Sequence, residues 1–199
     1  MSLADRPYGP VGRGAGIPPV SLNTQATASG QQTPTLPIEL VLTGTTETII
    51  LGGPVPQIPL SCAIPPATGL EQTPFDVWAS GYIKTTAAGT VTLNLYEGTS
   101  TTIASNIKLG TSGAVTQNTT TAPWYLHARC IYDSVSGLLT GTVEAYVNKT
   151  LVATATFLNF PTGIDNENSP VVAFSLSATS SGATAGTPTT INVQKFSCG

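Results

Sequence analysis

Charge is what this sequence has least of. Its seven Lys and Arg and ten Asp and Glu make up 9% of 199 residues, against roughly 25% in an ordinary globular protein. The seven basic residues are scattered, with no stripe to neutralise a phosphate backbone, so nucleic acid is not an expected partner. There is one methionine and one histidine, His127. Long apolar runs are missing too: nothing approaches the roughly 18 residues that span a membrane. The opening MSLADRPYGPVGRGAG lacks the apolar core of a signal peptide, which predicts synthesis in a cytoplasm and no membrane partner. The three cysteines, Cys62, Cys130 and Cys198, are widely separated. They form neither a disulfide framework nor a CxxC metal knuckle. The expectation is reduced, mostly buried thiols, with Cys198 beside the C-terminus the one that could be exposed.

What is present points to strands. Apolar residues reach 40%, enough for one domain with a packed core. Thr, Ser, Asn and Gln fill the polar positions, and β-branched Thr suits a pleated surface. Twenty Gly and sixteen Pro supply many turns. Few charges, much Thr and many turns predict a sandwich or barrel of short strands.

Residues 1–36 stand apart as a first region. Pro7, Pro10, Pro18, Pro19 and Pro34 and five glycines punctuate them, and no period of 2 or 3.6 runs through them. Proline favours extended chain, so an N-terminal arm is expected, either a tail or a segment laid along a partner. Fully extended it would reach on the order of 115 Å. Residues 37–199 form the second region and alternate. Along Phe75–Thr86, Phe75, Val77, Ala79, Gly81 and Ile83 share one face, while Asp76, Trp78, Ser80, Tyr82 and Lys84 share the other. Successive strand residues point to opposite faces, so this is a half-buried strand. In the next strand Val91, Leu93 and Leu95 face in and Thr92, Asn94 and Tyr96 face out, before a turn at Glu97-Gly98-Thr99-Ser100 and a strand over Thr101–Lys108. Residues 109–121 read as a loop. Trp124, Leu126, Ala128, Cys130 and Tyr132 then oppose Tyr125, His127, Arg129, Ile131 and Asp133. Asn148-Lys149 closes a tight hairpin. No segment reads as an amphipathic helix. The prediction is all-β: an antiparallel β-sandwich, a jelly roll of about eight strands. An up-and-down barrel is the alternative; the Cys–Trp–Cys arrangement of immunoglobulin domains is missing.

Chemistry is sparse. His127 lies on an outward face beside Arg129 and Asp133, and no GxSxG elbow accompanies it. Asp165 and Glu167, with Asn166 and Asn168, form the one acidic cluster, without EF-hand spacing. Asp133 and Glu144 could approach each other as a carboxylate pair, but both read as solvent-face charges. No phosphate loop or dinucleotide fingerprint occurs, and no catalytic residue, cofactor or metal is expected. The aromatics stand out instead. Trp78, Tyr82, Tyr96, Tyr125 and Tyr146 fall on faces opposite the core set. They suit sugar stacking or a subunit interface, unless the faces are reversed and they fill the core.

An extended Pro/Gly arm followed by a Thr-rich, charge-poor jelly roll resembles the capsid decoration (cement) proteins of tailed bacteriophages. The runs FDVWASGYIKTTAAGTVTLNLYEGTS, ARCIYDSVSGLLTGTVEAYVN and FSLSATSSGATAGTPTTINVQKF carry that resemblance. It implies a virion structural protein on the capsid surface. The β domain would trimerise, and the arm would lock neighbouring copies of the major capsid protein. Candidate partner-binding residues are Arg6, Tyr8 and Arg13 in the arm and Trp78 and Tyr82 in the β domain. The alternative is a phage fibre or a glycan-binding module.

Overall fold

The structure, a computed structural model, describes residues 38–50, 60–63, 72–85, 88–98, 100–117, 121–133, 135–159 and 171–198. The arm at 1–36, with Arg6, Tyr8 and Arg13, and the acidic cluster at Asp165 and Glu167 lie outside them. The described residues form twelve strands and one short 3-10 turn at Ile103–Ser105. One sheet has the order β1 (Ile38–Leu42), β12 (Thr189–Cys198), β4 (Gln72–Thr85), β8 (Ala122–Asp133), β9 (Leu138–Val147), β10 (Thr150–Asn159). The other has the order β2 (Thr48–Ile49), β11 (Val171–Ser180), β5 (Gly89–Glu97), β6 (Ile107–Thr111). There, β3 (Leu60–Ala63) also pairs with β11, and β7 (Val115–Gln117) with β5. Every pairing is antiparallel. The protein is an all-β antiparallel sandwich. The chain changes sheet between β1 and β2, between β3 and β4, between β4 and β5, between β7 and β8, and on both sides of β11.

Alternation builds the core. The Phe75 face of β4 is buried throughout, while Trp78, Tyr82 and Lys84 on the other face are exposed. On β8, Trp124, Leu126, Ala128, Cys130 and Tyr132 turn inward. They meet Val91, Leu93 and Leu95 of β5 and Val172, Phe174, Leu176 and Ala178 of β11. Phe75 and Phe174 touch edge to face across the two sheets, with centroids 6.2 Å apart. Full burial of each such large side chain contributes about 1.5–3 kcal/mol. Gly81 marks a close approach: a Cβ there would collide with the Asn192 carbonyl on β12. The hairpin at Asn148-Lys149 forms as predicted. Both residues have positive φ, 52° and 67°, which matches the twist of two-residue hairpins.

Three local expectations differ. Thr101–Lys108 is not one strand: a 3-10 turn intervenes, and β6 begins only at Ile107. Asn106 holds that turn, donating to the Ser100 carbonyl and accepting from the Ser100 N–H. The stretch 109–121, read as loop, contributes the rest of β6 and all of β7. Glu97 is the buried last residue of β5 rather than a turn residue.

Asn94 and Tyr96 do point away from the core cluster, yet they are 1% and 4% exposed. The β1–β2 connection brings Glu47 onto this face. Its Oε1 accepts from Asn94 Nδ2 at 2.7 Å, from the Tyr96 hydroxyl at 2.8 Å and from the Ser177 hydroxyl. Alternation assigns a residue to a face; whether a loop then covers that face is a long-range matter.

The thiol expectation also needs correction. Cys130 is a free buried thiol, but Cys198 is disulfide-bonded and only 5% exposed. Wide separation along the chain did not prevent a crosslink, because strands distant in sequence are neighbours in a sandwich.

Candidate functional site

The outward face of the first sheet carries the aromatics, and strand register arranges them in rows. In one row Trp78 stands opposite His127, which stands opposite Glu144, which stands opposite Thr154. In the next, Ser80, Tyr125, Tyr146 and Leu151 are aligned. Beyond that, Tyr82 is flanked by Asn192 and Pro123. Cross-strand neighbours lie close enough for rings to touch, and they do. Trp78 and His127 stack with centroids 3.6 Å apart and planes 9° from parallel. Tyr125 and Tyr146 stack at 4.3 Å and 14°. Trp78 and Tyr125 sit 6.4 Å apart and join the two stacks.

His127 is therefore on the outward face, as predicted, but it is only 7% exposed because Trp78 covers it. Its Nε2 donates to Asp76 Oδ1 at 2.9 Å. A carboxylate only accepts, so this contact fixes the ring's orientation. The Tyr146 hydroxyl donates to Glu144 at 3.5 Å. The Tyr125 phenol has its pKa raised, first by burial, then by its hydrogen bond to Tyr146 and the negative charge of Glu144. Of the five aromatics expected outside the core, Trp78, Tyr82, Tyr125 and Tyr146 share this face. Tyr96 sits apart on the other sheet, under Glu47.

Two shallow depressions flank the Trp78–His127 stack. One of about 520 Å3 is lined by Pro74, Asp76, Arg129, Ile131 and Thr142. The other, of about 250 Å3, is lined by Ser80, Tyr82, Pro123, Tyr125, Lys149 and Gln194. The face has an aliphatic end as well. Ile131 and Leu158 both flank Thr140 in one row and are 40% and 70% exposed. Among the described residues β10 is the last strand of this sheet, and its ten residues, TLVATATFLN, contain neither a charge nor a proline.

The remaining chemical candidates stay apart. Asp133 pairs with Leu138, whereas Glu144 pairs with His127. That is six residues further along β8, on the order of 20 Å. The Asp133 carboxylate instead accepts from the N–H groups of Ser136 and Val135, which lower its pKa. Among the described residues, no group of three or more His, Cys, Asp or Glu could hold a metal ion. Sequence alternation placed each aromatic correctly. It missed the stacked pairs and the burial of His127, which depend on strand register. No protein-family model matches the chain, and no curated protein matches its sequence.

Proposed function

We propose that this chain is a virion structural protein that decorates and stabilises a bacteriophage capsid, its jelly-roll domain trimerising between major capsid subunits while residues 1–36 reach over them. The observation that supports this best is β10. Edge strands are ordinarily blunted with lysine, proline or a covering element, because open N–H and C=O groups recruit other chains. β10 carries a bulge between Leu151 and Ala153, but no charge and no proline. Leu151 and Leu158 stand exposed on it. A surface of this kind is suited to burial against neighbouring subunits, and 9% charged residues impose little like-charge repulsion when copies crowd together. Many copies on a symmetric shell would add avidity through effective concentration. A disulfide at Cys198 fits a working place outside a reducing cytoplasm, such as a virion surface.

The test is co-sedimentation with empty capsids, together with light scattering for the mass in solution. Full-length protein is expected to be trimeric and to pellet with capsids. Protein lacking residues 1–36 is expected to keep its β fold and lose the capsids. Full-strength binding without the arm removes it as the anchor, and a clean monomer counts against the decoration role. The aromatic rows favour a second role, a fibre or glycan-binding module.

A further inference from the structure

The two ends of the outward face differ in charge as well as in shape. Three of the seven basic residues gather at the aromatic end. Lys84 shares the outward face of β4 with Tyr82. Lys195 stands opposite Ser80. Lys149 lines the depression together with Tyr82 and Tyr125. The carboxylates lie elsewhere. Asp76 and Glu144 are engaged with His127 and Tyr146, on the far side of the Tyr125 row. In the Tyr82 row the acidic residue is Glu39, two strands away across Asn192. A chain of net charge −3 thus concentrates its lysines where its aromatic rings are most open.

We infer that this end of the sheet binds an acidic saccharide, with the apolar face of a pyranose ring against Tyr82 and Tyr125 and its carboxylate directed to Lys149 and Lys195. Each part of the site matches one property of such a ligand. Aromatic faces accept the C–H side of a sugar ring, and a few convergent polar groups fix its orientation. Gln194 and Ser80 line the same depression and supply hydrogen-bonding groups. The lysines provide charge that a neutral sugar would leave unused. Tyr125 is held in place by its stack on Tyr146, so little side-chain entropy is lost on binding. Tyr82 is 42% exposed and lies outside the core cluster, which leaves its ring available to a ligand. The site does not depend on the capsid role.

The experiment is calorimetric titration of the full chain with polygalacturonate, hyaluronate and polysialate, with dextran as the uncharged control. At least one acidic polymer should bind, and dextran should bind about tenfold more weakly or not at all. Raising salt to about 0.5 M should weaken the acidic polymer through screening. Tyr82→Ala and Lys149→Gln should each weaken binding about tenfold while the thermal melt stays that of the parent. Lys149→Gln tests charge at a turn position whose backbone both residues must strain equally to adopt. The inference is overturned if none of the acidic polymers binds, if dextran binds equally well, or if both variants bind like the parent. Capsid co-sedimentation of Lys149→Gln separates the two proposals, since decoration through β10 and the arm would survive it.

Discussion

The Trp78 indole lies flat on the His127 imidazole, 3.6 Å between centroids, and Asp76 holds the imidazole's Nε2 at 2.9 Å. The two rings come from adjacent strands and meet because the register sets Trp78 opposite His127. The only histidine of the chain is thereby removed from solvent on a face that otherwise looks outward.

Truncating that stack should cost far less than truncating the core. Trp78 is 36% exposed, so Trp78→Ala should lose about 1–2 kcal/mol, the aromatic pair and part of the buried area. Phe174, fully buried against Phe75, should lose about 3–5 kcal/mol on conversion to alanine. Urea denaturation of the two variants measures both. Equal losses would mean that Trp78 is part of the folding core.

Acid should act through Glu47. Burial opposes its ionised form, but hydrogen bonds from Ser177, Tyr96 and Asn94 outweigh that, Lys108 adds to them, and the pKa falls below 4.5. A carboxyl whose folded pKa is depressed stabilises the protein above its unfolded pKa. That stabilisation is lost as pH falls through the folded value. Stability should therefore decline below about pH 4.5. Glu47→Gln should flatten this decline while lowering stability at neutral pH. Thermal melts from pH 7 to pH 3 would show it; an unchanged slope in the variant would rule out Glu47 as the group responsible.

The cysteines should behave oppositely. Burial, with a contribution from Asp76, pushes the Cys130 thiol up to about 12. At neutral pH it should resist alkylation until denaturant is added, because the thiolate is the reactive form. Reducing the Cys198 disulfide should destabilise the protein by about 2–4 kcal/mol. Peptide mass mapping after iodoacetamide, with and without reductant, tests both statements. Rapid alkylation of Cys130 in the native protein would contradict its burial.

Gly81→Ala should be among the most damaging single changes. The added methyl would meet the Asn192 backbone on the adjacent strand, which cannot rotate away as a side chain could. The expected result is a loss of more than about 3 kcal/mol or failure to fold. Gly44→Ala, where nothing lies within 4 Å, is the control and should stay close to the parent. Circular dichroism melts separate the two.

Much of the fold was legible from period alone. The faces of β4 and β8 follow from alternation around Val77 and Leu126, and the Asn148-Lys149 turn from its residue types. Asn94 and Tyr96 were assigned to the correct face but to solvent, because nothing nearby in sequence announces that Glu47 will cover them. The Asp133–Glu144 pairing looked feasible for a similar reason: both lie on adjoining strands, and only the register separates them. The candidate site was half legible. Trp78, Tyr82 and Lys84 were read onto one outward face, whereas the gathering of Lys149 and Lys195 beside them was not, since their numbers are far apart.

The sequence by itself determined that this protein is a charge-poor sandwich of antiparallel strands with an aromatic outer face. Strand formation and facing depend on neighbours two residues away, and a period of two records them. Only the tertiary structure decided which strands became neighbours. That choice stacked Trp78 on His127, closed Glu47 over Tyr96 and tied Cys198 into a disulfide. Each of these joins residues distant along the chain, and such contacts depend on register and sheet order, which leave no mark in local pattern.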